Sequence, residues 1–106
     1  MIDSNKILEI TNGIASKFNP EKIIIFGSYA HGTQNDDSDL DLLIVQESDL
    51  PPHERGFDIR MSLRGTKIPF DILIYTKQEF ELEKGKSFSF LHTALLNSKI
   101  VYERAE

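Results

Sequence analysis

A chain of 106 residues, 40% hydrophobic and 27% charged, is sized for one domain spanning residues 1–106 and built on a single core. It contains no cysteine, which excludes disulfides and thiolate metal sites, and no apolar run approaches the ~20 residues that span a bilayer. No signal-peptide pattern opens the sequence, so the expected compartment is the cytoplasm, and a formal charge of −5 argues against direct binding of nucleic acid through a broad basic face.

In chain order, Ile7, Ile10, Ile14 and Phe18 recur at three- and four-residue steps. That spacing predicts an amphipathic helix over 4–18, capped by Ser4, stopped by Asn19-Pro20 and weakened inside by Gly13. Ile23-Ile24-Ile25-Phe26 reads as a short buried strand, and Gly27-Ser28 breaks it. A one-turn helix is expected over 28–32 with Ser28 as its cap, followed by a polar loop over 33–38. Asp36 and Asp37 are read there as solvated, and Ser38 as bonding to nearby backbone. After Leu42–Val45 come a polar break and Pro51-Pro52, then a helix to about Arg64. Phe57 is expected to stack on Met61 in that helix with Ile59 and Leu63 beside them. Arg55, Arg60 and Arg64 are read as a solvated face in preference to an approach to a phosphate or an acidic partner.

Residues 70–75 alternate as a strand, with Asp71, Leu73 and Tyr75 on one face and Phe70, Ile72 and Ile74 on the other. Thr76-Lys77-Gln78-Glu79 has the form of a capping box and opens a helix to about Lys84. A further helix is expected over 87–97, with Phe88, Leu91 and Leu95 on its stripe, and an edge strand over 99–103. His53 and His92 lack the paired spacing of metal ligands.

The chemistry concentrates between Gly27 and Val45. Asp39 and Asp41 are one position apart at the mouth of a strand, so they share a face, with Cα atoms about 6.5 Å apart. Two such carboxylates repel unless a cation lies between them, and a divalent ion is the usual answer. Gly27 permits a tight bend, and a helix starting at Ser28 offers N–H groups to an anion. Phosphate is the anion that travels with Mg²⁺. Asp71, costly in an otherwise apolar strand, would complete three converging acids if that strand neighbours the Asp39–Asp41 strand.

Gly-Ser, ten residues, Asp-x-Asp, and a third Asp in Phe-Asp-Ile-Leu-Ile-Tyr together resemble the signature of the nucleotidyltransferase superfamily that includes DNA polymerase beta. The likeness is closest to its small stand-alone members, the minimal nucleotidyltransferases. It covers most of the chain and implies an α/β (α+β) palm-like fold, a mixed sheet of three or four strands flanked by helices. It further implies an enzyme that moves AMP, or another nucleoside monophosphate, from ATP or another triphosphate to a hydroxyl. Asp39, Asp41 and Asp71 would be the catalytic, metal-binding acids for two Mg²⁺ ions, and Gly27, Ser28 and His31 would touch the nucleotide. His31 stands where related families often carry Arg or Lys. It is either a weaker phosphate contact or a plain surface histidine.

Minimal nucleotidyltransferases often pair with helical HEPN-type toxins and act as antitoxins that adenylylate a partner tyrosine, in a hetero- or homo-oligomer. That resemblance implies the preferred function here. Two alternatives stand beside it: a non-catalytic antitoxin that neutralises a helical partner by binding, and an aminoglycoside-type small-molecule nucleotidyltransferase completed by a helical subunit.

Overall fold

The computed structural model describes residues 2–105. Helix α1 (Ser4–Phe18) runs unbroken through Gly13, and its true N-cap is Asp3 rather than Ser4. A carboxylate one residue earlier takes the role because Asp3 Oδ1 accepts the Lys6 N–H at 2.8 Å. The helix ends at Asn19, which adopts the left-handed conformation (φ 48°), and Gln46 Nε2 donates to the orphaned Phe18 carbonyl at 2.9 Å.

The core is a sheet of β1 (Lys22–Phe26), β2 (Leu40–Val45), β3 (Phe70–Tyr75) and β4 (Lys99–Glu103), in the order β3-β2-β1-β4. β1 is antiparallel to β2 and β4, whereas β2 and β3 are parallel. Such a pair needs a crossover, and α3 (Phe57–Arg64) supplies it. Alternation divides the apolar side chains between two layers. Ile23, Ile25, Leu40, Leu42, Ile44, Ile72 and Ile74 pack beneath α1 and α3, meeting Ile10, Ile14, Ile59 and Leu63. Ile24, Phe26, Leu43 and Val45 face the other way, against Phe80 of α4 (Lys77–Lys84) and Leu91 of α5 (Phe90–Leu95). With both faces covered, β1 and β2 can be continuous apolar runs.

Three further expectations are corrected. The helix foreseen from Pro52 to Arg64 is two pieces, a 3-10 turn over Pro52–Glu54 and then α3. Arg55 is extended and Gly56 left-handed (φ 80°), which breaks the helix and turns Arg55 inward. Ile59 and Leu63 then face the core, while Phe57 and Met61 remain 67% and 47% exposed. The helix foreseen over 87–97 begins only at Phe90. Ser89 caps it, accepting the His92 N–H at 3.0 Å and donating to the Glu83 carbonyl at 2.7 Å, so Phe88 falls outside the apolar stripe and is exposed.

The third correction concerns Arg55, which is buried rather than solvated. Its guanidinium forks onto Glu79 at 2.6 and 3.0 Å, while Nε donates to the Leu50 carbonyl at 2.8 Å and Nη1 to the Ile74 carbonyl at 3.3 Å. Glu79 also completes the Thr76 capping box, accepting the Thr76 N–H at 3.0 Å. The Arg55 hydrogen bond and the Thr76 backbone bond together pull the Glu79 carboxyl from 4.5 down to about 2.

This pair is testable through pH. A folded pKa below the unfolded one stabilises the fold above the ordinary value of 4.5, and that contribution is lost as pH falls towards about 2. Glu79→Gln should flatten the thermal denaturation profile across that interval. At neutral pH it should lower stability by about 1–3 kcal/mol, because Arg55 stays buried without its charge partner. A variant melting like the native chain at every pH would contradict the pair.

Candidate active site

The acids lie on the sheet face that α4 and α5 cover, at the end where β1 leaves the sheet. Register places Asp41 of β2 directly across from Phe26 of β1 on one side and Asp71 of β3 on the other. Leu40 points into the opposite layer, so Asp41 takes the other face, and Asp39, just ahead of β2, lies close enough for its charge to act on Asp41. Asp41 is half-buried, whereas Asp39 and Asp71 are exposed. The loop ahead of Asp39 is built rather than loose: Asn35 Oδ1 accepts the Asp37 N–H at 2.8 Å, and Ser38 Oγ accepts the Asn35 N–H at 2.9 Å. Ser38 thus bonds to nearby backbone, as its position suggested, and Asp36 and Asp37 stay at the surface.

Gly27 is the N-cap of α2 (Ser28–His31), a role assigned above to Ser28. The correction is conformational. Gly27 sits at φ 74°, ψ −154°, a region that residues with a Cβ avoid, and its carbonyl accepts the Ala30 and His31 N–H groups at 3.0 and 3.1 Å. A Cβ on Gly27 would also collide with Asp41 Oδ2, so the bend and the carboxylate are in direct van der Waals contact. Ser28 is therefore the first residue of the helix, where N–H groups precede the first intrahelical bond. Buried Tyr29 anchors the turn, its hydroxyl accepting the Ile2 N–H at 3.0 Å. His31 is exposed at the end of α2. Phe26 closes the inner side of the site, with Phe90 packed edge-on at a centroid distance of 5.9 Å.

The electrostatics follow from this crowding. Burial pushes the Asp41 carboxyl above its usual value, and the charges of Asp71 and then Asp39 push it further. A cation would reverse that penalty. The donor set is oxygen only, the chemistry of Mg²⁺ rather than of a softer metal. Among the described residues, no three His, Asp or Glu side chains already enclose a point where an ion would sit. The acids form an open rim, which suits Mg²⁺, because it is held by one or two carboxylates together with waters and substrate phosphates rather than by a closed protein cage.

Sequence comparison assigns the class. The family profile described as polymerase beta, nucleotidyltransferase, matches residues 6–106, so the chain belongs to that family. A Methanocaldococcus jannaschii protein, provisionally named a protein adenylyltransferase, is 43% identical over 51 residues. The match covers 46% of this chain and 51% of that protein, so the chain spans about half the length of its curated relative. A crystal structure from Sulfolobus solfataricus, provisionally named a nucleotidyltransferase, superposes with a TM-score of 0.64 at 24% identity, over 92% of this chain and 78% of that one. A toxin–antitoxin structure with AMP-PNP superposes with a TM-score of 0.59 at 19% identity, over 94% and 73% of the two chains. The mixed sheet flanked by helices is the nucleotidyltransferase fold.

Two substitutions test the local physics. Without divalent ions at neutral pH, Asp41→Asn should raise the melting temperature. A carboxyl with a raised folded pKa stabilises the fold below its unfolded value and loses that contribution as pH rises through the folded one. Mg²⁺ should stabilise the native chain and leave Asp41→Asn unchanged. Gly27→Ala should cost about 1–3 kcal/mol from backbone strain, with the overlap against Asp41 added. Calorimetry with and without Mg²⁺ reads both, and a destabilised Asp41→Asn chain would contradict the charge crowding.

Proposed function

We propose that the chain is a Mg²⁺-dependent nucleotidyltransferase that moves AMP from ATP to a protein hydroxyl. Its acceptor in this reading is a tyrosine of a HEPN-type helical toxin, which makes the chain the antitoxin of the pair. The observation that carries the activity is the in-register placement of Asp41 beside Asp71, with the Gly27 bend pressed against Asp41. The partner assignment draws support from the toxin–antitoxin structure that shares this fold and from the adenylyltransferase name of the M. jannaschii relative.

The acceptor oxygen attacks the α-phosphorus, the bond from that phosphorus to the bridging oxygen breaks, and pyrophosphate leaves. Asp39 and Asp41 would hold two ions between them, with Asp71 as the third ligand. When bound, those ions lower the pKa of the attacking oxygen and neutralise charge on the leaving group. Asp71, exposed on the β3 side of the rim, accepts the proton released by the acceptor hydroxyl, directly or through water. The first N–H groups of α2 and the Ser28 hydroxyl hold the outer phosphates, and Gly27 keeps that bend close to Asp41. His31, exposed beside them, adds a phosphate contact when protonated.

The test is label transfer from α-labelled ATP with Mg²⁺ and the HEPN-type protein. Native chain should label the partner on tyrosine. Asp39→Asn or Asp41→Asn should lower the rate by at least about 10²-fold, and Ser28→Ala by roughly tenfold, because backbone donors remain. Full transfer by Asp41→Asn would remove the metal assignment. Tight binding of the partner without any label would favour a purely neutralising antitoxin.

A further inference from the structure

We propose that Arg60 is a positioning residue for the acid pair: by clamping the outer edge of β3, it fixes where Asp71 stands beside Asp41. The inference rests on the reading of Asp71 as a metal-site carboxylate.

β3 is one of the two edge strands of the sheet. Its odd-numbered carbonyls turn towards β2, as the Leu40 N–H to Pro69 carbonyl bond (2.9 Å) and the Gln46 N–H to Tyr75 carbonyl bond (2.9 Å) mark at its two ends. Its even-numbered carbonyls face outward, a row that an edge strand ordinarily leaves to water or to another chain. Here two arginines occupy that row. Arg60 Nη2 donates to the Ile72 carbonyl at 2.8 Å, and Arg55 Nη1 donates to the Ile74 carbonyl at 3.3 Å. Arg60 Nη1 also donates to the Arg55 carbonyl, linking the two clamps to each other and, through Glu79, to α4.

Gly56 makes the fit possible. Its left-handed backbone brings the start of α3 flush against β3, where a Cβ would collide with the Ile74 side chain and stand 3.1 Å from Arg60 Nη1.

Of the two clamps, Arg60 acts next to the site. Ile72 follows Asp71 directly, so the orientation of its carbonyl fixes the pleat from which the Asp71 side chain projects. Asp71 and Asp41 repel across the β2–β3 register. Held only by its ladder with β2, the strand would relieve that repulsion by displacement. Held from the outside as well, it keeps two like charges at a separation that a divalent ion can use. A planar fork reaching two carbonyls at once does this; a single ammonium cannot.

The experiment measures Mn²⁺ binding by electron paramagnetic resonance in the presence of a non-hydrolysable ATP analogue. It compares the native chain, Asp41→Asn, Arg60→Met, Arg60→Lys and Ile14→Val, each at a temperature where circular dichroism shows it folded. Arg60→Met should weaken Mn²⁺ binding about 10–100-fold, as loss of a supporting contact does at other metal sites. Arg60→Lys should fall between Arg60→Met and native. Ile14→Val, a core change in α1 that removes none of the hydrogen bonds to the outer edge of β3, should lose stability while binding Mn²⁺ as the native chain does. Native-like affinity in Arg60→Met, alongside lost binding in Asp41→Asn, overturns the inference and leaves the proposed function standing. If Arg60→Met fails to fold, native-like affinity in Arg60→Lys overturns it equally. A native chain that binds no Mn²⁺ with the analogue overturns both.

Discussion

The parallel pairing of β2 with β3 sets two carboxylates side by side at the edge of a hydrophobic sheet, and the rest of the site answers that one electrostatic cost. Asp41 carries its negative charge at a cost, because its carboxyl is packed against the Gly27 backbone and faces Asp71 across the register. The fold holds the arrangement by force of apolar packing elsewhere. Leu40 and Leu42, the neighbours of Asp41, are fully buried under α1 and α3, so a one-residue slip of β2 would drive both into solvent. Register is thus specified by hydrophobic residues, and the acids are carried along with it.

A second layer of control comes from the polar side chains that stitch irregular segments to the sheet. The Asn35–Ser38 turn sets Asp39, the Gly27 bend sets α2, and the arginines of 55–60 hold the outer margin of β3. Each joins a loop to a strand end, where functional residues stand on rigid supports. The buried Arg55–Glu79 pair extends this by tying the crossover to the capping box of α4, so both faces of the sheet are braced at β3.

Much of this was legible in the sequence because it depends on local spacing. The three apolar strands, the shared face of Asp71, Leu73 and Tyr75 and the Thr76–Glu79 capping box all follow from period-two or capping patterns. The misreadings fall where a long-range contact outranks a local pattern. Arg55 looked like one of three arginines on a wet helix, and only a carboxylate 24 positions later makes it a buried residue. Arg60 was missed for the same reason, since a strand-edge carbonyl leaves no trace in composition. Gly56 was the available signal: a glycine inside an otherwise helical run, it is the left-handed hinge that ends one segment and starts another. Phe88 has helical spacing to Leu91 and Leu95, yet the Ser89 cap outcompetes that pattern.

The most direct measurement is the location of a scattering metal. In crystals of the chain grown with Mn²⁺ and a non-hydrolysable ATP analogue, anomalous difference maps should place the ion among Asp39, Asp41 and Asp71, with the triphosphate lying along Gly27 and Ser28. Metal density on other side chains, or a nucleotide seated away from the Gly27 bend while the three acids face only solvent, would contradict the account.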